Sequence, residues 1–162
     1  MEQLYHVEGL VNRDFVGQIT YTICLERPYR SMDIAFTFDQ QRFSREDLSE
    51  ELIADVQRQC LEKYGLTYSR EETERVILGD MKTEIHTLLT LNDTFIGCIH
   101  RQLTERHMHY DGEEATEGCI PTPVFEGVLK VTVLVFNVIK DRTRYTLSVS
   151  GEPCEREGET AC

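Results

Sequence analysis

The sequence contains no tryptophan and no apolar run of the ~20 residues that a membrane-spanning helix requires. The N-terminal residues Met1 to His6 lack the charged start and the apolar stretch of a secretory signal peptide. From these absences we expect a soluble, cytoplasmic protein that does not insert into a membrane.

Basic residues are scarce. The chain has 17 Lys and Arg against 29 Asp and Glu, which gives a formal net charge of −12. The longest basic cluster consists of Lys140, Arg142 and Arg144. Binding to nucleic acid usually requires a basic face that displaces counterions from phosphates. We therefore expect no nucleic-acid partner and no binding to an anionic membrane surface.

Sequence motifs for common chemistries are also missing. The chain has no G-x-S-x-G nucleophile turn, no phosphate-binding loop and no dinucleotide fingerprint. Its six cysteines include no CxxC pair, which favours buried, reduced thiols over zinc binding or a disulfide framework. Whether the protein is an enzyme is left open by its sequence.

Alternating apolar residues predict β-strands over most of the chain. Strands are predicted over residues 4–11, 19–25, 32–38, 81–91, 94–103, 127–139 and 143–149. Short turns separate the first three strands, which favours an antiparallel meander. The turn at Lys140-Asp141-Arg142 predicts a hairpin that joins the last two strands.

Between the third and fourth strands the apolar period changes to three and four residues, as in a helix. Ser44 to Asp47 has the form of a capping box, and Gly65 is a typical left-handed helix end. The apolar stripe of this predicted helix consists of Leu48, Leu52, Ile53, Val56, Cys60 and Tyr64. Ser69 starts a second, shorter helix that ends near Gly79.

These elements predict an α+β fold. We expect an antiparallel sheet of about seven strands, three before and four after the helices, packed on one long amphipathic helix plus a short second helix. Residues 1–150 should form a single domain, because a chain of this length buries enough surface to fold without a disulfide or a metal. Residues 151–162 should form an acidic, disordered tail.

The predicted strand 127–139 is apolar on both faces, as in a strand that is covered on both sides. Its outer face needs a cover that the rest of the sequence does not identify. A curled sheet or a second subunit stacked face to face would provide one, so we predict a possible homodimer.

The most concentrated set of chemically active side chains lies between Glu105 and Glu113. If this segment is extended, His107, His109, Asp111 and Glu113 share one face, because side chains alternate along a strand. Two imidazoles and a carboxylate at this spacing are suitable ligands for a divalent first-row metal. If the segment is a loop between strands, the same residues are a solvated acidic stretch.

The spacing His-x-His-x3-Glu, with Glu113 as its acid, resembles half of the metal motif of the cupins, which implies a metal bound by His107, His109 and Glu113. Arg101 replaces the glycine expected before the first histidine, and no second histidine motif follows. The order of strands and helix is also similar to the layout of hot-dog thioesterases, in which a sheet wraps a central helix. The charged side of the predicted helix departs from that layout.

A second pair of histidines flanks the predicted turn at Asn92-Asp93. In a hairpin centred on that turn, His86 lies opposite Ile99 or His100. The two imidazoles would then be cross-strand neighbours, on a surface that changes charge with pH or lines a pocket.

Three functions are consistent with the sequence. The first is a non-catalytic domain that binds a small molecule or a protein, with binding residues from the polar sheet face and the segment 104–124. The second is a metal-dependent enzyme in which His107, His109 and Glu113 hold the ion and Asp111 binds it or supports a ligand. The third is a structural subunit that forms a dimer through a sheet face.

Overall fold

A computed structural model describes residues 1–100 and 103–154. These residues contain seven antiparallel strands and two α-helices. The strands are β1 Glu2–Val11, β2 Gly17–Phe38, β3 Glu84–Leu91, β4 Thr94–Ile99, β5 Glu105–Tyr110, β6 Phe125–Asn137 and β7 Thr143–Pro153. The helices are α1 Glu50–Tyr64 and α2 Arg70–Gly79. The predicted α+β class and the number of strands are confirmed.

The strands are divided differently from the prediction, with two before the helices and five after them. The predicted second and third strands are one strand, β2, which continues through Arg27 and Pro28. Proline has no amide hydrogen for the ladder, and the pairing register shifts between Leu25 and Tyr29. β2 bends at this irregularity instead of ending there.

The bend lets β2 belong to two halves of one strongly curved sheet. Its first part, Gly17 to Leu25, pairs with β6, and β6 continues to β3 and β4. Its second part, Tyr29 to Phe38, lies between β7 and β5, and β7 continues to β1. We name these the β6 half-sheet and the β7 half-sheet.

The inner faces of the two half-sheets enclose a common hydrophobic core. Ile34, Phe36 and Leu147 come from the β7 half-sheet, and Leu129 and Val131 come from the β6 half-sheet; all five are fully buried. The predicted meander and the predicted hairpin at 140–142 are wrong, because β1 pairs with β7 and not with β2, and β6 and β7 belong to different half-sheets.

The helices form a second, smaller core with each other. Leu52, Ile53 and Val56 of α1 pack with Ile77 of α2, and Phe43, Leu48, Cys60 and Met81 join this cluster. The main core of the described residues contains no helix residue, so the sheet does not pack on α1 as the sequence suggested, and it does not wrap the helix as in the hot-dog layout. Tyr64, predicted in the apolar stripe, is 72% exposed.

Neither helix of the described part is long and apolar enough to cross a membrane. The predicted tail was placed too early, because β7 continues to Pro153. The part of that prediction which concerns residues 155–162 lies outside the described residues.

The cysteines of the described residues differ in exposure. Cys98 is buried, Cys60 and Cys119 are half-buried, and Cys24 is exposed. Cys154 is disulfide-bonded, so the expectation of reduced cysteines was wrong there.

Asp47 joins the helical region to the sheet. Its carboxylate accepts hydrogen bonds from Lys140 Nζ, which follows β6, at 2.6 Å, and from Ser44 N at 2.6 Å. The Lys140 ammonium and the Ser44 donors lower the pKa of Asp47 from its ordinary value of 3.8 to about 2. The ionised form is therefore bound more tightly in the folded protein than in the unfolded chain.

We predict that Asp47→Asn lowers the free energy of unfolding by about 1–2 kcal/mol at neutral pH. The depressed pKa stabilises the fold above pH ~4, and this contribution is lost as the pH falls through ~2. Chemical denaturation of both proteins across this range should show the difference shrinking at acidic pH. Glu46→Gln, in the same turn, is the matched control, and a pH-independent difference would contradict the role of the Asp47 charge.

Candidate functional site

The predicted site begins on β5, where the alternation of a strand exposes Glu105, His107 and His109. The residues between them, Arg106, Met108 and Tyr110, are buried in the interior. The extended conformation that the histidine run required is therefore present for its first part. Both imidazoles project from the outer face of the β7 half-sheet.

β2 provides a carboxylate that the sequence analysis did not identify. Asp33 lies directly opposite His109 in the ladder between β2 and β5. Its Oδ1 is 3.6 Å from His107 Nδ1, and its Oδ2 is 3.5 Å from His109 Nδ1. A single carboxylate therefore faces both imidazoles, which are about half exposed.

A second carboxylate holds the other side of one ring. Glu105 Oε1 lies 3.1 Å from His107 Nε2. Glu105, together with Asp33, raises the pKa of His107 above its ordinary value of 6.5. A hydrogen bond from Nε2–H to Glu105 leaves the Nδ1 lone pair of the neutral imidazole directed towards Asp33.

The structure places Asp111 and Glu113 away from this ladder. Asp111 Oδ1 accepts a hydrogen bond from Glu114 N at 2.9 Å and so forms a turn, in which Glu113 is exposed. Gly112 in the same turn has a φ of +94°, which favours glycine. The four residues that the sequence grouped are thus divided between a strand and the turn that follows it.

The position of His109 is fixed from both sides of its strand. β2 pairs with it on one side. On the other, Thr116 Oγ1 accepts a hydrogen bond from His109 N at 3.0 Å, and Thr116 N donates to His109 O at 3.0 Å. This part of the 104–124 segment therefore has an ordered hydrogen-bonding pattern, although the sequence predicted no strand there.

Beneath the histidines, β5 places a cation in the core. Arg106 is 3% exposed, and its guanidinium carbon lies 5.6 Å from the ring centre of Phe36 and 5.7 Å from that of Phe38. Burial lowers the pKa of Arg106 to about 10. No pattern in the sequence distinguishes this arginine from a surface residue, because its strand was not predicted.

The predicted pair of histidines on the other half-sheet is present. The ring centroids of His86 and His100 are 5.5 Å apart, and the ring centroid of Phe136 is 4.7 Å from that of His86. Burial lowers the pKa of His86 below its ordinary value of 6.5; Glu84 opposes this shift, and Arg106 and His100 add smaller lowering contributions. His86 is therefore held neutral beside an aromatic ring at neutral pH.

Among the clefts formed by the described residues, the one beside His107 is small and the two larger ones lie elsewhere. A cleft of about 130 Å³ beside Glu105 and His107 is smaller than the ~300 Å³ at which pockets hold small organic ligands. Larger clefts of about 790 Å³ and 550 Å³ adjoin α1 and the start of β1. Both are open to solvent and lined mainly by charged or polar residues. The expected pocket at segment 104–124 is thus small.

As the side chains stand, no three His, Cys, Asp or Glu residues within 1–100 and 103–154 form a group that could hold a metal ion. The pair of imidazoles that faces Asp33 comes nearest to one in chemistry. Because this arrangement lies on an open sheet face, it does not exclude water from a reacting group.

A family model described as "Family of unknown function (DUF6669)" matches residues 1–156 of the chain. No curated protein and no solved structure matches the chain.

Proposed function

Since the chain belongs to DUF6669, a family of unknown function, we propose from its geometry that it is a non-catalytic protein-binding module. Its docking surface is the outer face of the β6 half-sheet, and the partner we propose is a second copy of the chain. The observation that carries the proposal is the 52% exposure of Phe136 on β6, a strand with neighbours on both sides.

Phe136 is part of a continuous apolar area. Val16, 68% exposed, lies beside it, because Gly17 pairs with Val135 and Asp14 N donates to Val138 O. Leu134 is the next outward residue of β6. We define the Phe136 patch as five residues. Leu134 and Phe136 belong to β6, His86 and Leu88 belong to β3, and Val16 directly precedes β2.

The register of the strands continues the patch across the half-sheet. His86 pairs with Leu134, and Leu88 pairs with Thr132. Thr132 is joined to Thr20 through hydroxyl groups 3.0 Å apart, so the polar groups beside the patch already have hydrogen-bond partners. When a partner removes water from such a surface, the desolvation cost is small, because its polar side chains keep their hydrogen bonds.

The size of this face matches a weak interface. Four strands at ~4.8 Å spacing and about eight residues of length give roughly 500 Å² per subunit. Stable complexes bury about 800 Å² per partner, and smaller faces occur in transient ones. We therefore expect reversible association with a micromolar dissociation constant.

The net charge of −12 opposes the approach of a second copy. Glu84 is one acidic residue beside the patch, with Oε1 3.1 Å from His86 Nε2, and carboxylates elsewhere on the chain add to the repulsion. Salt screens such interactions over ~8 Å at physiological ionic strength. Apolar contacts are not weakened by moderate salt, so added salt should strengthen the dimer.

Sedimentation velocity of the untagged chain tests this prediction. We expect a monomer–dimer equilibrium that shifts towards dimer as protein concentration rises and again as sodium chloride is raised from low to physiological concentration. A chain that remains monomeric at high micromolar concentration in both salts would rule out self-association. A dimer that dissociates on addition of salt would mean that ion pairs hold it, and not the Phe136 patch.

A further inference from the structure

We propose that His86 makes the association through the Phe136 patch sensitive to pH, so that its protonated imidazole releases the dimer in mildly acidic solution. This inference rests on the proposed function, because it concerns the regulation of the same surface. His86 is one of the five residues that define the patch, and its ring centroid lies 4.7 Å from that of Phe136. A partner seated on Phe136 therefore covers the imidazole as well.

The sheet holds His86 away from the solvent edge of the half-sheet. β3 has β6 on one side and β4 on the other, and His86 pairs with Leu134 of β6. The rings of Phe136 and His100 lie against the imidazole, and only 12% of the His86 side chain is exposed in the monomer. Little water therefore surrounds this ring before a partner arrives, and an interface removes what remains.

The groups that face the imidazole act on its charge in opposite directions. Burial has the largest influence and lowers the pKa of His86 below its ordinary value of 6.5. Glu84, on the same strand, places Oε1 3.1 Å from His86 Nε2 and favours the protonated ring. Arg106 of β5 and His100, which follows β4, disfavour it by their positive charge. Phe136 of β6 brings no charge, so among these described neighbours only Glu84 supports the imidazolium.

Dimerisation strengthens the influence that already prevails in the monomer. The partner displaces water from the ring, and a desolvated imidazolium is less stable than a neutral imidazole. The attraction of Glu84 also grows in the drier interface, but the same change strengthens the opposing charge of Arg106. A subunit in the dimer therefore binds fewer protons than the free monomer, and protonation of His86 favours dissociation.

This linkage determines the pH range of the effect. Well above pH 6.5, the ordinary imidazole pKa, His86 is neutral in monomer and dimer and adds no pH dependence. As the pH falls through the lowered pKa of His86 in the monomer, the free subunits take up protons that the dimer excludes. The dissociation constant then rises by up to about 10-fold per pH unit for each of the two imidazoles. Titration of the rest of this acidic chain weakens the repulsion between copies and so acts in the opposite direction.

Sedimentation velocity of the untagged full-length chain at about pH 7.5 and about pH 5.5, on either side of the imidazole range, tests the inference. We expect the dissociation constant of the wild type to be at least about 5-fold higher at the lower pH. The side chain of His86→Gln does not titrate, so its own dissociation constant should not rise in acid. His6→Gln, which removes an exposed imidazole of the β7 half-sheet, is the matched control and should respond to pH as the wild type does.

An NMR titration of the wild type gives a second measurement that needs no variant. The pKa of His86 should be lower at a protein concentration at which the dimer prevails than in dilute solution. Circular dichroism at both pH values confirms that each protein is folded.

The outcomes separate this inference from the proposed function. A wild type that stays monomeric at the higher pH would overturn both. A dimer that Phe136→Glu abolishes, but whose dissociation constant is independent of pH or falls in acid, would overturn the inference alone. An equal response to pH in His86→Gln and the wild type would also overturn it, because another group would then carry the effect.

Discussion

Phe136→Glu should leave the protein monomeric at concentrations at which the wild type forms dimers. The substitution replaces the most exposed aromatic ring of the Phe136 patch by a carboxylate, which would have to lose its hydration in the interface. Central aromatic residues of interfaces commonly contribute 2 kcal/mol or more, so the dissociation constant should rise at least about 30-fold. Stability should change little, because the ring is 52% exposed in the monomer.

Leu10→Glu is the matched control for this experiment. Leu10 is 51% exposed and lies on β1, at the edge of the other half-sheet. It introduces the same charge at nearly the same exposure, so it changes the net repulsion between two copies equally. If both variants weaken the dimer alike, repulsion and not the patch explains the loss. If Phe136→Glu dimerises as the wild type does, the interface lies elsewhere.

The sequence carried much of the information about this surface. The strand 127–139 was predicted to be apolar on both faces. The structure places one of these faces in the main core and leaves part of the other exposed. The inner residues Leu129, Val131 and Val133 are fully buried in the main core. The outer residues Leu134 and Phe136 have no helix against them among the described residues. Local alternation identified the uncovered face because it depends only on neighbours in the chain.

The arrangement of the strands was not predictable in the same way. β1 and β2 follow each other in the sequence and yet belong to different pairs, because the bend in β2 at Pro28 sends its two parts to different neighbours. Pairing of distant strands depends on the packing of the whole core, and not on the turn between them. The same limitation explains why the α1 stripe was assigned to the sheet although it packs on α2.

The candidate site shows the same difference between local alternation and long-range strand pairing within a few residues. Alternation in β5 correctly placed His107 and His109 on one face. Their carboxylate neighbour is Asp33, about 75 residues earlier in the chain, and only the register between β2 and β5 brings it to them. Asp111 and Glu113 were grouped with the histidines because they continue the spacing, but Gly112 turns the chain before they reach the ladder.

Arg106→Met should stabilise the protein and raise the pKa of His86. A guanidinium whose pKa is lowered to about 10 on folding is less favourable inside than in water by about 3 kcal/mol. Methionine keeps the apolar stem between Phe36 and Phe38 and removes the charge. Because the pKa of the guanidinium is lowered with its contacts in place, the net effect of its burial is unfavourable, and we expect a gain of about 1–3 kcal/mol in the free energy of unfolding.

The second measurement separates the charge of Arg106 from its packing. Arg106 lowers the pKa of His86, a member of the Phe136 patch, and its removal should raise that pKa in an NMR titration. Arg144→Met, on the exposed face of β7, is the matched control and should change neither quantity. A destabilised Arg106→Met protein would mean that the guanidinium contributes more through its contacts than its burial costs. An unchanged pKa of His86 would mean that the core charge does not act on the docking surface. A raised pKa with a gain in stability would mean that the protein keeps a costly cation whose charge adds to the effect of burial on the pKa of His86.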